Sequence, residues 1–386
     1  MQAFAWAVAR PHTGTFQTPV RALRSPLSPG GRRRPRSAPE IPGVTPQFTE
    51  LPAWPFSVAV SPGGERAFVS MPRAGHRGLV SLSAGSPWRV DGVVWLGDEL
   101  IPRGIAVERT GRHVLIANGA GGLLVADAQA LRAATDEPFH AVVSAPARGS
   151  VQIALEPAGR FAFVTDEDSA TLSVFDFGGS LGSDSPRAAL VGQTALPPGP
   201  VGAVCSADGQ HLFVTSQRDR RGRQPGVLSV LVVADLVEAP ERVAVVSLPA
   251  GHTPVRVAVS ASDPELVWVT ARGSNSLLAF DRERLVAGRA RALRAVVGVG
   301  IAPTGLAVLA GGSRVVAANS NRYGGADQPQ TLAVVDVEAA LRHRSSALLG
   351  TIPAGAWPRE VVALPDDRTV LVTNVYSKSL ESVVIA

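Results

Sequence analysis

The stretch at residues 55–70, PFSVAVSPGGERAFVS, decides the fold of this chain. It holds an extended entry, a short apolar strand, a turn with two glycines and a second apolar strand, which together predict a β-hairpin. Six further copies of the pattern begin at Pro102 (PRGIAVERTGRHVLIAN), Ser150 (SVQIALEPAGRFAFVTD), Pro200 (PVGAVCSADGQHLFVTS), Pro254 (PVRVAVSASDPELVWVT), Pro303 (PTGLAVLAGGSRVVAAN) and Pro358 (PREVVALPDDRTVLVTN). Because the copies begin about 50 residues apart, the sequence predicts a repeat protein of the solenoid or propeller kind.

Each copy continues into a longer unit. A third strand follows and often ends on an aspartate, as at Asp127, Asp176, Asp281 and Asp336. A fourth strand then leads through a turn with Pro and Gly to the next copy. Four antiparallel strands in about 50 residues form one blade of a β-propeller. We therefore predict an all-β fold, a seven-bladed β-propeller of four-stranded antiparallel blades that start near residues 55, 102, 150, 200, 254, 303 and 358.

The two ends of the chain predict how the ring closes. The seventh copy stops at Ala386, after its third strand and without a fourth. Residues 48–54 (FTELPAW) precede Pro55 as residues 351–357 (TIPAGAW) precede Pro358. We expect residues 45–52 to add the outer strand to the last blade, because pairing the chain ends removes the open interface between the first and last blades.

Composition divides the chain into two parts. Residues 1–43 are rich in Pro, Ser and Arg and hold seven of the 37 basic residues but one of the 32 acidic residues. Residues 44–386 therefore hold 30 basic and 31 acidic side chains, and this body is close to neutral. We expect residues 1–43 to form a disordered basic tail and residues 44–386 to form the propeller.

Targeting signals and the cysteine content do not identify the cellular compartment of the protein. No stretch approaches the ~20 apolar residues that span a bilayer, so no transmembrane segment is expected. Residues 3–9 lack the basic start of a secretion signal, and we expect a cytoplasmic protein by default, with export possible if the true start codon differs. Cys205 is the single cysteine, which excludes an intrachain disulfide and is expected to be buried and inert. We expect a monomer.

Several units carry a resemblance to a known family. The segments PFSVAVSPGGERAFVS, FVTDEDSATLSVFDF and VLVTNVYSKSLESVVI resemble the YVTN-repeat β-propeller family, and the resemblance covers residues 45–386. It implies a seven-bladed ring. Members of that family include lactonases, electron-transfer subunits, surface-layer proteins and nucleic-acid binders, so the resemblance implies no single activity.

Searches for catalytic and cofactor motifs find none. The chain has no G-x-S-x-G elbow, no Walker loop, no dinucleotide glycine fingerprint and no H-E-x-x-H. Its seven histidines are scattered, with no pair at the spacing of metal ligands. Aromatic residues amount to 5%, too few for base stacking along a single strand. We therefore predict no metal and no cofactor, and we do not expect the propeller body to bind nucleic acid.

Departures from the repeat indicate a candidate site at one mouth of the channel. Two loops between second and third strands, residues 216–226 and 319–330, are longer than the others. The candidate ligand-binding residues on these loops are Arg218, Arg221, Asn321, Arg322 and Tyr323. Those at or beside the starts of first strands are Arg103, Gln152, Arg256, Trp357 and Arg359. Because a guanidinium pairs well with carboxylate or phosphate, an anionic ligand is predicted.

These candidates leave three functional readings open. The leading one is a binding scaffold for an anionic small molecule or a protein partner at the channel mouth and the long loops. The alternative is a lactonase-like hydrolase, an isomerase or a lyase that acts on an anionic metabolite, with Glu360 or His252 as general acid or base. A third reading, nucleic-acid binding, rests on the basic tail and the arginines at 218–223.

Overall fold

Each copy of the repeat forms a four-stranded antiparallel sheet, and seven such sheets stand in a ring. The structure is a computed structural model that describes residues 35–178, 188–218, 223–260, 265–322 and 330–385. We number the strands in chain order and call each sheet a blade. From the channel outward, blade one consists of β2 (Ser57–Val60), β3 (Arg66–Met71), β4 (Gly78–Ser83) and β5 (Arg89–Trp95). Blade two consists of β6 (Pro102–Val107), β7 (His113–Asn118), β8 (Gly122–Asp127) and β9 (Phe139–Ser144). Blade three consists of β10 (Ser150–Leu155), β11 (Phe161–Asp166), β12 (Thr171–Asp176) and β13 (Ala189–Ala195).

The remaining four blades repeat this order. Blade four consists of β14 (Pro200–Cys205), β15 (His211–Ser216), β16 (Pro225–Val232) and β17 (Val246–His252). Blade five consists of β18 (Pro254–Val259), β19 (Leu266–Ala271), β20 (Ser276–Asp281) and β21 (Leu293–Gly298). Blade six consists of β22 (Pro303–Leu309), β23 (Arg314–Asn319), β24 (Thr331–Asp336) and β25 (Leu348–Pro353). Blade seven consists of β26 (Pro358–Ala363), β27 (Thr369–Asn374), β28 (Ser379–Val384) and β1 (Gln47–Glu50). The first strands of neighbouring blades contact one another all the way around, so they line the channel.

The ring closes as predicted. Strand β1 pairs antiparallel with β28, with Gln47 opposite Ser382 and Glu50 opposite Ser379. The N-terminal end of the propeller thus supplies the outer strand of blade seven. This pairing joins the two ends of the repeat through backbone hydrogen bonds instead of leaving a sheet edge exposed.

Apolar packing between blades holds the ring together. Within the described ranges, seven clusters of buried hydrophobic residues each lie between two adjacent blades. Between blades seven and one, for example, Leu371 and Leu380 pack with Val58 and Val69. The second and third strands are covered on both faces by neighbouring blades, and all six residues of β7 and of β27 are buried. No blade could bury these faces alone.

Four short helices occur where the sequence predicted only strands and turns. They connect third and fourth strands, and they are α1 (Ala128–Ala133), α2 (Val233–Glu238), α3 (Arg282–Val286) and α4 (Val337–Leu341) in the described part of the chain. The recurring aspartates Asp127, Asp281 and Asp336 cap three of them: each side chain accepts a hydrogen bond from a backbone N–H of the first turn. Their repetition therefore reflects a structural role.

The chain approaches β1 along the outside of blades five and six. The N–H of Arg36 donates to the carbonyl of Val299, and Pro39 and Ile41 exchange backbone hydrogen bonds with Thr351 of β25 at 2.9 Å each. We call residues 36–41 the strap. The strap lies within the predicted tail at residues 1–43, whereas residues 1–34 lie outside the described residues.

Candidate functional site

A cavity of about 580 Å³ lies at the end of the ring where the first strands begin, and we call it the mouth cavity. Two sets of positions contribute most of its lining. The residue directly after the start of each repeat copy supplies Phe56, Arg103, Val151, Val201, Val255 and Arg359. The residue directly after each second strand supplies Pro72, Glu167, Gln217, Arg272 and Val375. These two sets of positions bring residues from six blades to one concave surface, as is common for ligand sites on rigid folds.

Positive charge dominates the cavity. Six arginines and two acidic residues line it: Arg73, Arg103, Arg256, Arg272, Arg322, Arg359, Glu167 and Asp168. The two acidic residues lie together on blade three. The arginines come from blades one, two, five, six and seven, so an anion in the cavity would be approached from several sides.

One of these arginines is neutralised by the protein. Arg256 on β18 binds Glu360 on β26, with Nε 2.9 Å from Oε1 and Nη2 2.6 Å from Oε2. The two residues are 5% and 6% exposed, so this bidentate pair is shielded from water. The Oγ of Ser57 donates a further hydrogen bond to Glu360 at 3.5 Å. Because blade six lies between β18 and β26, the pair connects two blades that are not neighbours in the ring.

Arg359 is held differently. Its Cζ lies 3.6 Å from the centroid of the Phe56 ring, a cation–π contact. Among the described residues, no carboxylate lies within salt-bridge distance of Arg359, and its buried Nε has no hydrogen-bond partner. Burial and the nearby charge of Arg256 lower the pKa of Arg359 to about 9, which still leaves the group protonated at neutral pH. Arg359 therefore presents an uncompensated positive charge to the cavity.

Arg103 occupies the equivalent repeat position on blade two. It lines the cavity beside Ile101, and within the part of the chain that is described it forms no ion pair. In ring order, Arg359, Phe56 and Arg103 occupy the same repeat position on blades seven, one and two. Two arginines therefore flank Phe56 on three neighbouring blades, and this is the cationic side of the cavity.

Aromatic residues extend this side outward. Trp54 lies between two cations, with Arg73 Cζ 3.7 Å and Lys378 Nζ 4.2 Å from its ring centroid. Trp357 packs against Tyr376 with their ring centroids 4.7 Å apart. The rings fix the cations above them and give the cavity flat apolar walls.

The sequence-predicted residues divide into three groups. The mouth cavity contains Arg103, Arg256, Arg322, Trp357 and Arg359. Its lining lacks Gln152, Arg218, His252, Asn321 and Glu360. Of these, Gln152 follows the lining residue Val151 on β10, Arg218 is exposed, Asn321 is buried, and the backbone N–H of His252 donates to Ser274 Oγ at 2.9 Å. Arg221 and Tyr323 lie outside the described residues, as does most of each long loop.

Sequence reasoning missed several lining residues. Arg272 is 6% exposed, and its Nη2 donates to Gln217 Oε1 at 3.2 Å. Glu167 and Asp168 were missed as well. Arg272, Gln217 and Glu167 each directly follow a second strand, so comparing that position across the seven copies would have found them. Asp168 lies one residue further on.

Metal-binding clusters and membrane-spanning helices are both absent from the described residues. Those residues contain no group of three His, Cys, Asp or Glu side chains placed to hold a metal ion. They also contain no helix that is long and apolar enough to cross a bilayer.

Comparison with known proteins supports the fold class. No family model and no curated protein matches the chain. Among solved structures, it is similar to hydrazine synthase of Kuenenia stuttgartiensis, with a TM-score of 0.68 and 18% identity over 90% of this chain and 99% of that chain. It is also similar to a chain of a mitotic checkpoint complex, with a TM-score of 0.64 and 11% identity over 100% of this chain and 99% of that one. The chain is a seven-bladed β-propeller, and at these identities the likeness extends to fold alone. The YVTN-repeat resemblance gains no support from it.

Proposed function

We propose that this propeller is a binding scaffold that holds an anionic small molecule in the mouth cavity. The observation that carries the proposal is the uncompensated charge of Arg359, whose buried Nε has no hydrogen-bond partner among the described residues. Leaving a charged donor unpaired away from water is unfavourable, and a bound carboxylate or phosphate would remove that penalty.

The shape of the site favours a small molecule over a protein partner. A volume of about 580 Å³ lies inside the range typical of small-molecule pockets, roughly 300–1,000 Å³. Arg103 and Arg359 belong to first strands of the rigid ring, so their backbone is positioned before a ligand arrives. Such preorganisation reduces the entropy lost on binding.

The hydrolase, isomerase or lyase alternative has less support. Glu360 already accepts hydrogen bonds from Arg256 through both carboxylate oxygens. A carboxylate held in this way is a poor general base for a substrate in the cavity. His252 is not part of the cavity lining.

A thermal-shift experiment tests the proposed function. Phosphate or a small dicarboxylate should raise the melting temperature, since a ligand at a hundred times its dissociation constant stabilises by about 2.7 kcal/mol. The double variant Arg103→Gln with Arg359→Gln should lose the gain. Arg291→Gln, at an exposed arginine outside the cavity, should retain it. An unchanged melting temperature of the wild type with every anion, or an equal gain in the double variant, would refute the proposal.

A further inference from the structure

The two sides of the mouth cavity differ in chemistry. One repeat position, the residue directly after the start of each copy, carries Arg359, Phe56 and Arg103 on blades seven, one and two. At the same position, blades three, four and five carry Val151, Val201 and Val255, and these three also line the cavity. In a ring of seven, blades four and five face blade one. A cationic side therefore lies across the channel from an apolar side.

Charged residues also line the cavity on blades three and five, and each has a partner within the protein. Arg272 donates to Gln217, and Glu167 and Asp168 also interact with other residues. Arg256 comes next to Val255 on β18, but its guanidinium is bound by Glu360. The Nη1 of Arg256 lies 3.5 Å from the carbonyl oxygen of Val201, a further contact that holds it in place. A ligand beside the three valines thus meets methyl groups, while its anionic end can reach Arg359.

We infer that the ligand is an amphipathic anion, with one carboxylate or phosphate head group and an apolar body. The head group binds Arg103 and Arg359, and the apolar body packs against Val151, Val201 and Val255. This inference rests on the proposed function and adds the second half of the ligand. A small, fully hydrated dianion would leave the valine side wet, whereas an apolar body displaces that water.

The test is a series of linear carboxylates, from butanoate to decanoate, measured by calorimetry on the full chain below their micelle concentrations. Inorganic phosphate and decanol serve as probes for each half of the ligand alone. We expect one site, with an affinity that rises about two- to fourfold for each added methylene until the apolar side is covered. Decanol should bind at least tenfold more weakly than decanoate.

Variants separate the two halves. Val151→Thr with Val255→Thr keeps side-chain shape and should flatten the dependence on chain length while phosphate still binds. Arg359→Gln should weaken every carboxylate to a similar extent. Should the double threonine variant fold poorly, the series on the wild type still decides the question.

Each outcome has a distinct meaning. Equal affinity for butanoate, decanoate and phosphate overturns the amphipathic ligand but leaves the anion site in place. Decanol that binds as tightly as decanoate overturns it too, because the head group would then contribute nothing. If no carboxylate and no phosphate binds, the proposed function itself fails.

Discussion

Glu381 on β28 should make the stability of the propeller depend on pH. The residue is fully buried in blade seven. Its Oε2 accepts hydrogen bonds from Asn374 Nδ2 at 2.8 Å and from the N–H of Gly355 at 3.1 Å. Its Oε1 has no partner among the described residues. Burial raises the pKa of Glu381 to about 7 from an ordinary value of 4.5, against the opposing effect of the two hydrogen bonds.

The sign and size of the effect follow from proton linkage. Because the pKa is higher in the folded state, the folded protein binds the Glu381 proton more tightly than the unfolded chain does. The stabilisation is full below pH 4.5 and is lost as the pH rises through 7. A pKa raised from 4.5 to about 7, at about 1.4 kcal/mol for each unit of pKa, corresponds to about 3.5 kcal/mol. For a chain of this size that is roughly 4 °C in melting temperature.

The variant Glu381→Gln removes the titration and keeps the side-chain volume. We expect urea midpoints and melting temperatures of the wild type and this variant to differ between pH 5 and pH 8. The variant should gain about 2.5 kcal/mol relative to the wild type over that range. Glu241→Gln, at an exposed residue on the rim, should show no such gain.

A difference between wild type and Glu381→Gln that is the same at pH 5 and pH 8 would refute this reasoning. It would mean that Glu381 ionises at its ordinary pKa despite burial. A variant whose free energy of unfolding falls relative to that of the wild type as the pH rises would also contradict the expected sign of the effect. That result would require a cation close to the carboxylate, which the described contacts do not contain.

Two other contacts give predictions of the same kind. Glu360→Gln should lower the free energy of unfolding, measured by urea denaturation, by about 3 kcal/mol, because it leaves the buried charge of Arg256 without its partner. The double variant Arg256→Met with Glu360→Met should recover most of this loss. Gly350→Ala should lower the melting temperature, because an added Cβ would lie 2.6 Å from Ile41 Cγ1 in the strap. Gly97→Ala meets no atom within 4 Å and should leave the melting temperature unchanged, and equal effects of the two alanine variants would exclude a stabilising role for the strap.

The blades could be predicted because their signals are local and repeated. Six of the seven first strands begin at the residue where the repeat copy begins, from Pro102 to Pro358, and β2 begins two residues after Pro55. Apolar residues in short strands, bounded by turns, determine this pattern wherever they occur. With seven copies, an irregularity in one copy does not hide the pattern. Ring closure by β1 could be predicted because the last copy has three strands of its own where the others have four.

The short helices and the strap were not predicted. The helices have five or six residues, too few for a periodic apolar stripe to emerge. Their capping aspartates were read as strand ends, since a strand end and a helix N-cap both favour Asp. The strap is bound through backbone atoms, and Arg36 and Ile41 carry no repeat that would reveal a partner more than 250 residues away.

The candidate site was predictable in its positions and not in its pairings. Arg103 and Arg359 were found because they depart from the residues usual at their repeat position. The bond between Arg256 and Glu360 joins residues 104 positions apart, and it depends on how the ring places the first strands of blades five and seven. No local spacing encodes that distance. Sequence reasoning could only leave open whether these arginines pair with a neighbour such as Glu360, and the structure pairs Arg256 with it.

This distinction suggests where function resides in a propeller. Most positions of a blade are fixed by packing against its neighbours, and repetition there, as at Asp127 and Asp281, marks a shared structural task. Six of the seven residues that follow a copy start line the mouth cavity, and at this position the blades differ. Three blades keep valine, which suits a β-strand and needs no partner. Arg359 carries at this position a charge that no carboxylate among the described residues pairs. Leaving such a charge unpaired is unfavourable, and the anion that we propose would offset that cost.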